Sequence, residues 1–472
     1  MTPSAVAKFM ASRSLEGVHK KVIRILEPAA GSGILAAAIF EHIITWPKLP
    51  QKLEFVLYEI DPLMKPALSA LASRMRKEAA KLGFSVSCSI RLRDFLLNSP
   101  EEKFDIVIAN PPFFKVRKDD PRSIAHKYVV HGQPNIYGLF MASCAHLLSD
   151  GGRYCFLSPR SWTSGSYFRE LRKHLFKYLQ LEAVHLFQDR AATFKKDRIQ
   201  QEMMITWATA QSAIQEDVMV SASDGITDLA RSISTLVPIS NIFTSKKCKA
   251  INLPLVESAH GIFACANTLE TIGLKVSTGK VVPFRAGEWI VNRGTKKTAP
   301  LLWMQHIRRN EVVWPLNREG EHIASTEASA KLLIPNGNYV LVRRFSPRDQ
   351  QHWVTAAPLL MDESCEYIGI ENHVNYLYGV DAPLAREVAI GLASYLNSSQ
   401  VSLYFVSRIG HTQINAADLN SLPVPNKEDL CKIGKEWEKK ISQSEIDAFI
   451  NTILAGQDRV NHESLKDEQR TT

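Results

Sequence analysis

The sequence predicts an α/β first half, built on a largely parallel sheet covered on both faces, followed by an α+β second half. Three observations carry this. Short apolar runs alternate with helix-like stretches from Val22 to about Ala210, and four of those runs end in a distinctive polar or Gly-rich cluster. After Ala210 the alternation stops, and segments become shorter and richer in Trp, Arg, Asn and Pro. A length of 472 residues also exceeds one ordinary core, so two domains are expected.

The elements follow in order. Val22 to Leu26 is a strand that ends in Glu27-Pro28-Ala29-Ala30-Gly31-Ser32-Gly33, and an Ala-rich helix covers Ile34 to Ile44. Leu53 to Tyr58 is a second strand, ending in Glu59-Ile60-Asp61-Pro62 before a helix through Leu68, Leu71 and Met75. Ser85 to Leu92 alternates and ends in Arg93-Asp94-Phe95, and Phe104 to Ala109 delivers Asn110. A helix over Tyr137 to Leu148 stops at Gly151-Gly152, where glycine can close a helix. Strands near Arg153 to Leu157, Leu181 to Leu186 and Met203 to Ala208 and a helix from about Tyr167 to Tyr178 complete the pattern. The polar stretch Gln211 to Ser234 reads as a linker or loose peripheral element. Lys427 to about Leu454 reads as one charged helix, with a polar, disordered tail after it. The expected boundaries are 1–240, 250–426 and 427–472.

Bulk properties narrow the function classes. No apolar run approaches bilayer length, and the N-terminus has neither a basic nor an apolar leader region, so a cytoplasmic protein without a membrane partner is expected. Seven scattered cysteines without a C-x-x-C pair fit a reducing compartment and argue against a zinc site or disulfide framework. His306, His373 and His411 read as polar or core residues, so no metal is expected. The net charge of +9 suits a polyanionic partner. Its basic clusters recur in both halves, at Lys115/Arg117/Lys118, Lys195/Lys196/Arg198, Lys246/Lys247/Lys249, Lys296/Lys297, Arg308/Arg309 and Arg343/Arg344.

In an open α/β sheet, ligands bind beyond the carboxyl ends of the strands. The Gly31-x-Gly33 turn lets backbone approach a ligand closely, and Glu59 can accept from ribose hydroxyls, but dinucleotide-binding proteins share both features. Two details favour S-adenosylmethionine. Glu27 puts a carboxylate before the glycines, which repels a pyrophosphate and can accept from an ammonium group. Asp94 beside Phe95 can accept from an adenine amino group next to an apolar ring, or can cap the following turn. Asp61 reads as a helix cap.

Asn110-Pro111-Pro112-Phe113 is the reacting centre. An amine conjugated to an aromatic ring is a poor nucleophile. An amide oxygen and a backbone carbonyl that accept its two N–H bonds favour the pyramidal, reactive form without a strong base. The two prolines fix the backbone and remove two N–H donors, and Phe113 offers a ring face to the target.

Thr2-Pro3-x-x-Val6-Ala7, Glu27-Pro28-Ala29-Ala30-Gly31-Ser32-Gly33, Tyr58-Glu59-Ile60-Asp61-Pro62, Asp94-Phe95-Leu96-Leu97 and Asn110-Pro111-Pro112-Phe113 run in one order. That order resembles the TaqI-like, gamma-class adenine-N6 DNA methyltransferases of restriction–modification systems. The resemblance covers roughly residues 1–210 and continues more loosely beyond, as at Ile409 to Asn415 and Leu422 to Pro425. It implies an S-adenosylmethionine-dependent, Rossmann-like methyltransferase domain followed by an α+β target-recognition domain. It implies that Thr2, Glu27, Ala30, Gly31 and Gly33 hold the methionine end of the cofactor, Glu59 and Ile60 the ribose, and Asp94 and Phe95 the adenine. It further implies that Asn110, Pro111 and Pro112 bind the target amine and that Phe113 stacks on a base flipped from double-stranded DNA. A second stacking ring is expected, with Trp207 the choice and Phe194 the alternative, although a core Trp fits as well. Two features depart from the family: Phe113 stands where most members have Tyr, and Thr2-Pro3 has no helix before it.

Extruding a base costs a few kcal/mol, and the second half would supply the surface to offset it. Lys195, Lys196, Arg308, Arg309, Arg343, Arg344 and Gln413 are the expected DNA contacts. A cognate restriction endonuclease would act separately. The runner-up readings keep the chemistry and change the substrate, to RNA adenine or a protein glutamine.

Overall fold

The computed structural model describes the chain except residues 1, 165, 188–202, 211–215, 224, 244–250, 252, 254–261, 263–264, 266, 346–352, 362–363, 409–412, 439–441 and 471–472. Two units divide it, Met1–Leu255 and Val256–Thr472.

The first unit is a nine-stranded sheet. Its strands are β1 (Val22–Glu27), β2 (Lys52–Glu59), β3 (Ser85–Leu92), β4 (Phe104–Ala109), β5 (Leu148–Pro159), β6 (Leu179–Phe187), β7 (Met203–Ala210), β8 (Asp217–Ser223) and β9 (Ile233–Pro238), in the order 3-2-1-4-5-7-6-8-9. The first five in that order are parallel, and β7 runs antiparallel between β5 and β6. Chain order reverses between β1 and β4, which makes their carboxyl ends the place where a crevice opens. Among the described helices are α1 (Ser4–Ser14), α2 (Ile34–Ile43), α3 (Lys65–Lys81), α4 (Pro121–Ala125), α5 (Ile136–Ala145) and α6 (Arg169–Tyr178).

Burial explains the arrangement. All six residues of β4 are buried, as a central strand covered on both faces requires. Ile106 and Ile108 face the core beneath α1 and α2, while Phe104, Val107 and Ala109 face the core that includes α5. Asp105 is held by the Arg24 amide at 2.8 Å and the Lys20 ammonium at 2.5 Å, which ties the entry of β1 to β4. Ser149 also donates to Asp105 at 2.9 Å. β5 begins at Leu148, before the Gly151-Gly152 pair, because Leu148 already pairs with Phe104.

Within the stretch expected to be a linker or a loose peripheral element, the described residues Asp217–Ser223 form a strand of the sheet. β8 pairs in parallel with β6, and β9 closes the edge. The apolar alternation is carried by Val218, Val220 and Ala222, diluted by small polar residues that have partners of their own. Ser221 and Ser223 bind the two ring nitrogens of His185 at 2.9 and 3.0 Å. His185 is fully buried, with its ring edge-on to Phe9 and Phe187.

The second unit holds a four-stranded antiparallel sheet in the order Leu274–Thr278, Val374–Gly379, Tyr339–Arg343, Ala356–Leu359. A five-stranded mixed sheet is inserted among those strands in the sequence. Helices Arg386–Leu396 and Lys427–Trp437 contribute to the larger core of this unit. The expected single C-terminal helix is two, with a second helix over Gln443–Arg470. Ser442 starts it with a reciprocal cap, its amide donating to Glu445 at 2.7 Å and its hydroxyl accepting the Glu445 amide at 3.3 Å. The Ser-x-x-Glu signal was present in the sequence. Among the described residues, no helix is long and apolar enough to cross a membrane.

Burial pushes the His185 pKa down to about 4. Between that value and the ordinary one near 6.5, the unfolded chain binds the proton that the folded chain refuses, so stability falls as pH drops through this window. Urea unfolding at pH 7 and pH 5 should show a loss of about 2 kcal/mol from this group. His185→Gln should be less stable at pH 7 and should lack that part of the acid sensitivity; an unchanged pH dependence would contradict the assignment.

Candidate active site

The carboxyl ends of β1, β2 and β4 and the turn after β3 enclose a cavity of about 450 Å³. Its walls include Gly31, Glu59, Ile60, Asp94, Phe95, Asn110, Pro111, Pro112 and Phe113, whereas the expected cofactor residues Thr2, Ala30 and Gly33 do not line it. Arg93, Phe114, Arg122, Ile136 and Phe140 also line it and were not anticipated.

The turn after β1 is built by backbone demands. Gly31 and Gly33 have φ of +54° and +80°, a region that strains any residue with a Cβ. The Ala30 amide donates to the Tyr58 carbonyl at 2.8 Å, and the Gly31 amide to Glu59 Oε2 at 2.6 Å. Glu59 Oε1 takes the Asp61 amide at 2.8 Å, and Asp61 caps the next turn through the Leu63 amide at 2.9 Å. Glu59 is thereby fixed at the cavity rim. Ile60 projects beside it, 60% exposed.

Glu27 does not line the cavity. It lies beneath the turn, 1% exposed, where its Oε2 accepts the Ala36 amide at 3.0 Å at the start of α2. Burial raises its pKa well above the carboxylate range, opposed by the Ala36 amide and reinforced by the charge of Glu59. A cationic neighbour would relieve this.

Asp94 both caps and pairs. Its Oδ1 accepts the Leu96 amide at 2.9 Å, and its Oδ2 binds the Arg122 guanidinium at 2.6 Å. Arg122 comes from α4, nearly thirty positions downstream, so only the fold reveals the pair. Phe95 is buried against Tyr58, edge-on at 5.1 Å, and stacks on Phe140 at 5.6 Å, giving the cavity an aromatic wall.

Asn110 donates from Nδ2 to the Thr2 hydroxyl at 2.8 Å. Its Oδ1 is buried without a hydrogen-bond partner among the described residues. An acceptor in that state costs about 1–3 kcal/mol until a donor arrives. Phe113 is half-buried, edge-on to Tyr137 at 6.1 Å.

Several expectations need correction. Trp207 cannot stack on a substrate. It is 3% exposed in the middle of β7 beneath α1, edge-on to Phe9, with its indole donating to the Met10 carbonyl at 3.3 Å. Phe194, Lys195, Lys196 and His411 lie outside the described residues. In the second unit, Arg309 turns inward to the Asn397 carbonyl at 2.5 Å, and Arg343 donates to the Ile307 carbonyl at 2.7 Å. Arg344 reaches the Asn372 carbonyl at 2.8 Å and Asn415 at 3.2 Å. Burial lowers the pKa of Arg309 and Arg343. These guanidiniums hold the unit together. Arg308 is exposed, and Gln413 is half-buried, its backbone bridged to Phe345. His306 is a buried partner of Glu321 at 2.7 Å, and His373 pairs with Glu371 at 2.6 Å.

The donor set fits S-adenosylmethionine better than a dinucleotide. The buried Glu27 lies beneath the glycine turn with an elevated pKa that a cation would relieve, Glu59 stands at the rim, and an aromatic wall lies beside Asp94. A Cβ built on Gly31 meets nothing within 4 Å, whereas one on Gly33 meets Leu71 Cδ2 at 2.5 Å. Gly33→Ala should therefore cost about 2 kcal/mol or more in chemical unfolding, since it adds overpacking to left-handed strain. Gly31→Ala should cost about 1 kcal/mol, from the strain alone. Equal losses would contradict the packing argument.

The chain is similar to several known proteins. Residues 69–194 match the family model described as Eco57I restriction-modification methylase. The chain is 31% identical to the type II methyltransferase M.BsuBI of Bacillus subtilis, over 96% of this chain and 93% of that one. It is 30% identical to M.PstI of Providencia stuartii, over 96% and 92%. A shorter match, 25% identical over 36% of this chain and 65% of the relative, is to the tRNA1(Val) (adenine(37)-N6)-methyltransferase of Bacteroides thetaiotaomicron. With β1–β7 in the order 3-2-1-4-5-7-6 and relatives aligned over nearly its whole length, this chain belongs to the type II methyltransferases of restriction–modification systems, and S-adenosylmethionine is its cofactor.

Proposed function

We propose that this protein is a gamma-class DNA methyltransferase acting on the exocyclic N6 of adenine in duplex DNA, with the target base rotated out of the helix. The observation that carries the reading is Asn110. One side of its amide is tied to Thr2, and the other presents a buried oxygen without a donor, directly before two prolines that have no N–H to compete for a carbonyl. An adenine amino group carries two N–H donors and matches an acceptor pair formed by Asn110 Oδ1 and the Pro111 carbonyl. Accepting both protons draws the nitrogen lone pair out of conjugation. Phe113 offers its face to the base. The name of the tRNA relative, which specifies adenine N6, supports the choice of amine.

In this reading the bound cofactor supplies an electrophilic methyl group on a sulfonium centre. Glu59 and Ile60 hold the ribose, Asp94 and Phe95 the adenine, and Thr2, Ala30, Gly31 and Gly33 shape the methionine end, with Glu27 countering its ammonium from below. The nitrogen would gain the methyl as the methyl–sulfur bond breaks and its electron pair stays on sulfur as a neutral thioether, and the cationic amine would then release a proton to solvent. The catalytic domain is assigned to residues 1–240, target recognition to 250–426, and the C-terminal helical segment to 427–472. Arg308 and Gln413 remain candidate DNA contacts, and a cognate endonuclease would act as a separate protein in the cytoplasm. Methylation of RNA in place of duplex DNA is the second reading, favoured by the tRNA relative alone.

Asn110→Ala should lower kcat by about 10²-fold or more while S-adenosylhomocysteine binding, measured by calorimetry, stays within a few-fold. Wild-type turnover in that variant would refute the mechanism. Modification-sensitive sequencing of DNA from cells expressing the protein should report N6-methyladenine in one sequence context.

Asp94→Asn separates two roles, because asparagine can still cap the Leu96 turn but presents one acceptor fewer. If Asp94 accepts from the cofactor's adenine, S-adenosylhomocysteine should bind about tenfold more weakly, or about 1.4 kcal/mol. Arg122→Gln, which removes the ion pair and keeps the carboxylate, should stay within about threefold of wild type, a shift below 1 kcal/mol. Unchanged affinity in Asp94→Asn would reduce the residue to a cap.

A further inference from the structure

A second cavity, of about 490 Å³, opens in the first unit beside the reacting loop, and Lys115, His131, Gln133, Asn135, Ser161 and Tyr167 contribute to its wall. Its volume is that of a small-ligand site. Ring contacts connect it to the reacting centre. Tyr137 meets Phe113 edge-on at 6.1 Å and stacks on Phe168, the neighbour of Tyr167, at 5.9 Å. The Tyr137 hydroxyl also hydrogen-bonds Ser161 at 2.9 Å. The fully buried Arg172 fixes the segment that carries Ser161, donating to the carbonyls of Trp162 and Ser164 at 2.8 and 2.9 Å.

Tyr167 is 62% exposed, yet its ring has a seat. A Cβ on Gly132 would fall 2.5 Å from its Cε1 and 2.6 Å from its Cδ1 but 3.8 Å from its Cζ, so the ring sets one edge on bare backbone. His131 stands beside it, ring centroids 6.1 Å apart. Lys115 is exposed at the cavity wall, with no ion pair among the described residues. A ring pressed on a glycine, an unpaired cation and two side-chain amides together form a nucleotide-recognising set: a stacking face, a phosphate partner and donors or acceptors for a base edge.

We propose that this cavity receives the nucleotide next to the target adenine on the same strand, its base against Tyr167 and its phosphate at Lys115. The proposal rests on the DNA-adenine reading above. Rotating one base out of a duplex leaves its neighbours with an exposed face, and stacking on an aromatic side chain is worth about 1–3 kcal/mol per base. Tyr167 thus supplies a second aromatic platform, but for the neighbour of the target and not for the target itself.

The test uses the full-length protein and a duplex containing the site found by modification mapping. Tyr167→Ala should raise the KM for duplex by about tenfold or more, leave kcat within about twofold, and leave S-adenosylhomocysteine affinity unchanged. Tyr167→Phe should restore KM, because the ring face and not the hydroxyl is used. Lys115→Gln should reduce the slope of log KM against log salt by about 1. A 2-aminopurine placed next to the target adenine should be quenched on binding wild type and bright on binding Tyr167→Ala. A wild-type KM with unchanged quenching in Tyr167→Ala would overturn the proposal, as would a KM change matched by an equal loss of S-adenosylhomocysteine affinity. Absence of N6-methyladenine from the wild-type reaction would instead overturn the function on which it rests.

Discussion

Glu59 accepts the Gly31 amide at 2.6 Å and the Asp61 amide at 2.8 Å, and so locks the turn leaving β1 to the end of β2. Hydrogen bonds to a charged acceptor contribute about 1.5–3 kcal/mol each, and here they act on a left-handed glycine that the chain would otherwise hold weakly. The Ala30 amide on the Tyr58 carbonyl adds a second tie between the same two strand ends. The cavity floor is therefore set by backbone geometry, and the groups that face a ligand inherit their positions from it. The Thr2–Asn110 bond does the same on the β4 side: it uses the amide's donors so that the acceptor is left for something else.

The acids of the site differ in kind because their surroundings differ. Glu27 sits under the turn, and burial raises its pKa, the α2 amides only partly opposing this. Such a group is stabilised by an arriving cation. Asp94 lies at the wall with both oxygens already engaged, by the Leu96 amide and by Arg122. It can take a further neutral N–H on a remaining lone pair, but its charge is already met. An ammonium-bearing ligand with an aromatic amine at its far end matches that polarity, one end drawn by charge and the other by hydrogen bonding alone.

Much of this was legible in the sequence because strand ends are marked by breaks in apolar runs, and the fold rule says which ends matter. Glu59, Asp94 and Asn110 were found in that way, and all three line one cavity. Arg122 was not, since its partner lies in a different local pattern and only the packing of α4 brings them together. Trp207 shows the opposite failure: a residue type suited to stacking was sought near the right strand, but the strand's centre is dry core. β8 was hidden because serine replaced apolar residues at positions where His185 could satisfy a hydroxyl. The arginines of the second unit carried a similar ambiguity. A guanidinium has five donors, and carbonyls left over by short strands and loops compete for them with any nucleic acid. Arg309, Arg343 and Arg344 went to carbonyls, and no periodicity announces that choice.

Charge separation gives the last step. The chain carries +9, yet Glu59 and Asp94 set carboxylates beside the two arginines that line the cavity. The chain's positive charge draws a phosphate to the exterior, whereas Glu59 and Asp94 offset Arg93 and Arg122 in the cavity lining, which offers a phosphate no net positive charge. What can enter is a neutral ring with its own donors. Phe113, half-buried at the boundary, and Asn110 Oδ1, buried without a donor, form the part of the wall that such a ring meets first. On these terms selectivity for a base over a phosphate needs no dedicated gate. Under the proposed function it follows from balanced charge in the cavity lining and from the acceptor without a donor at Asn110.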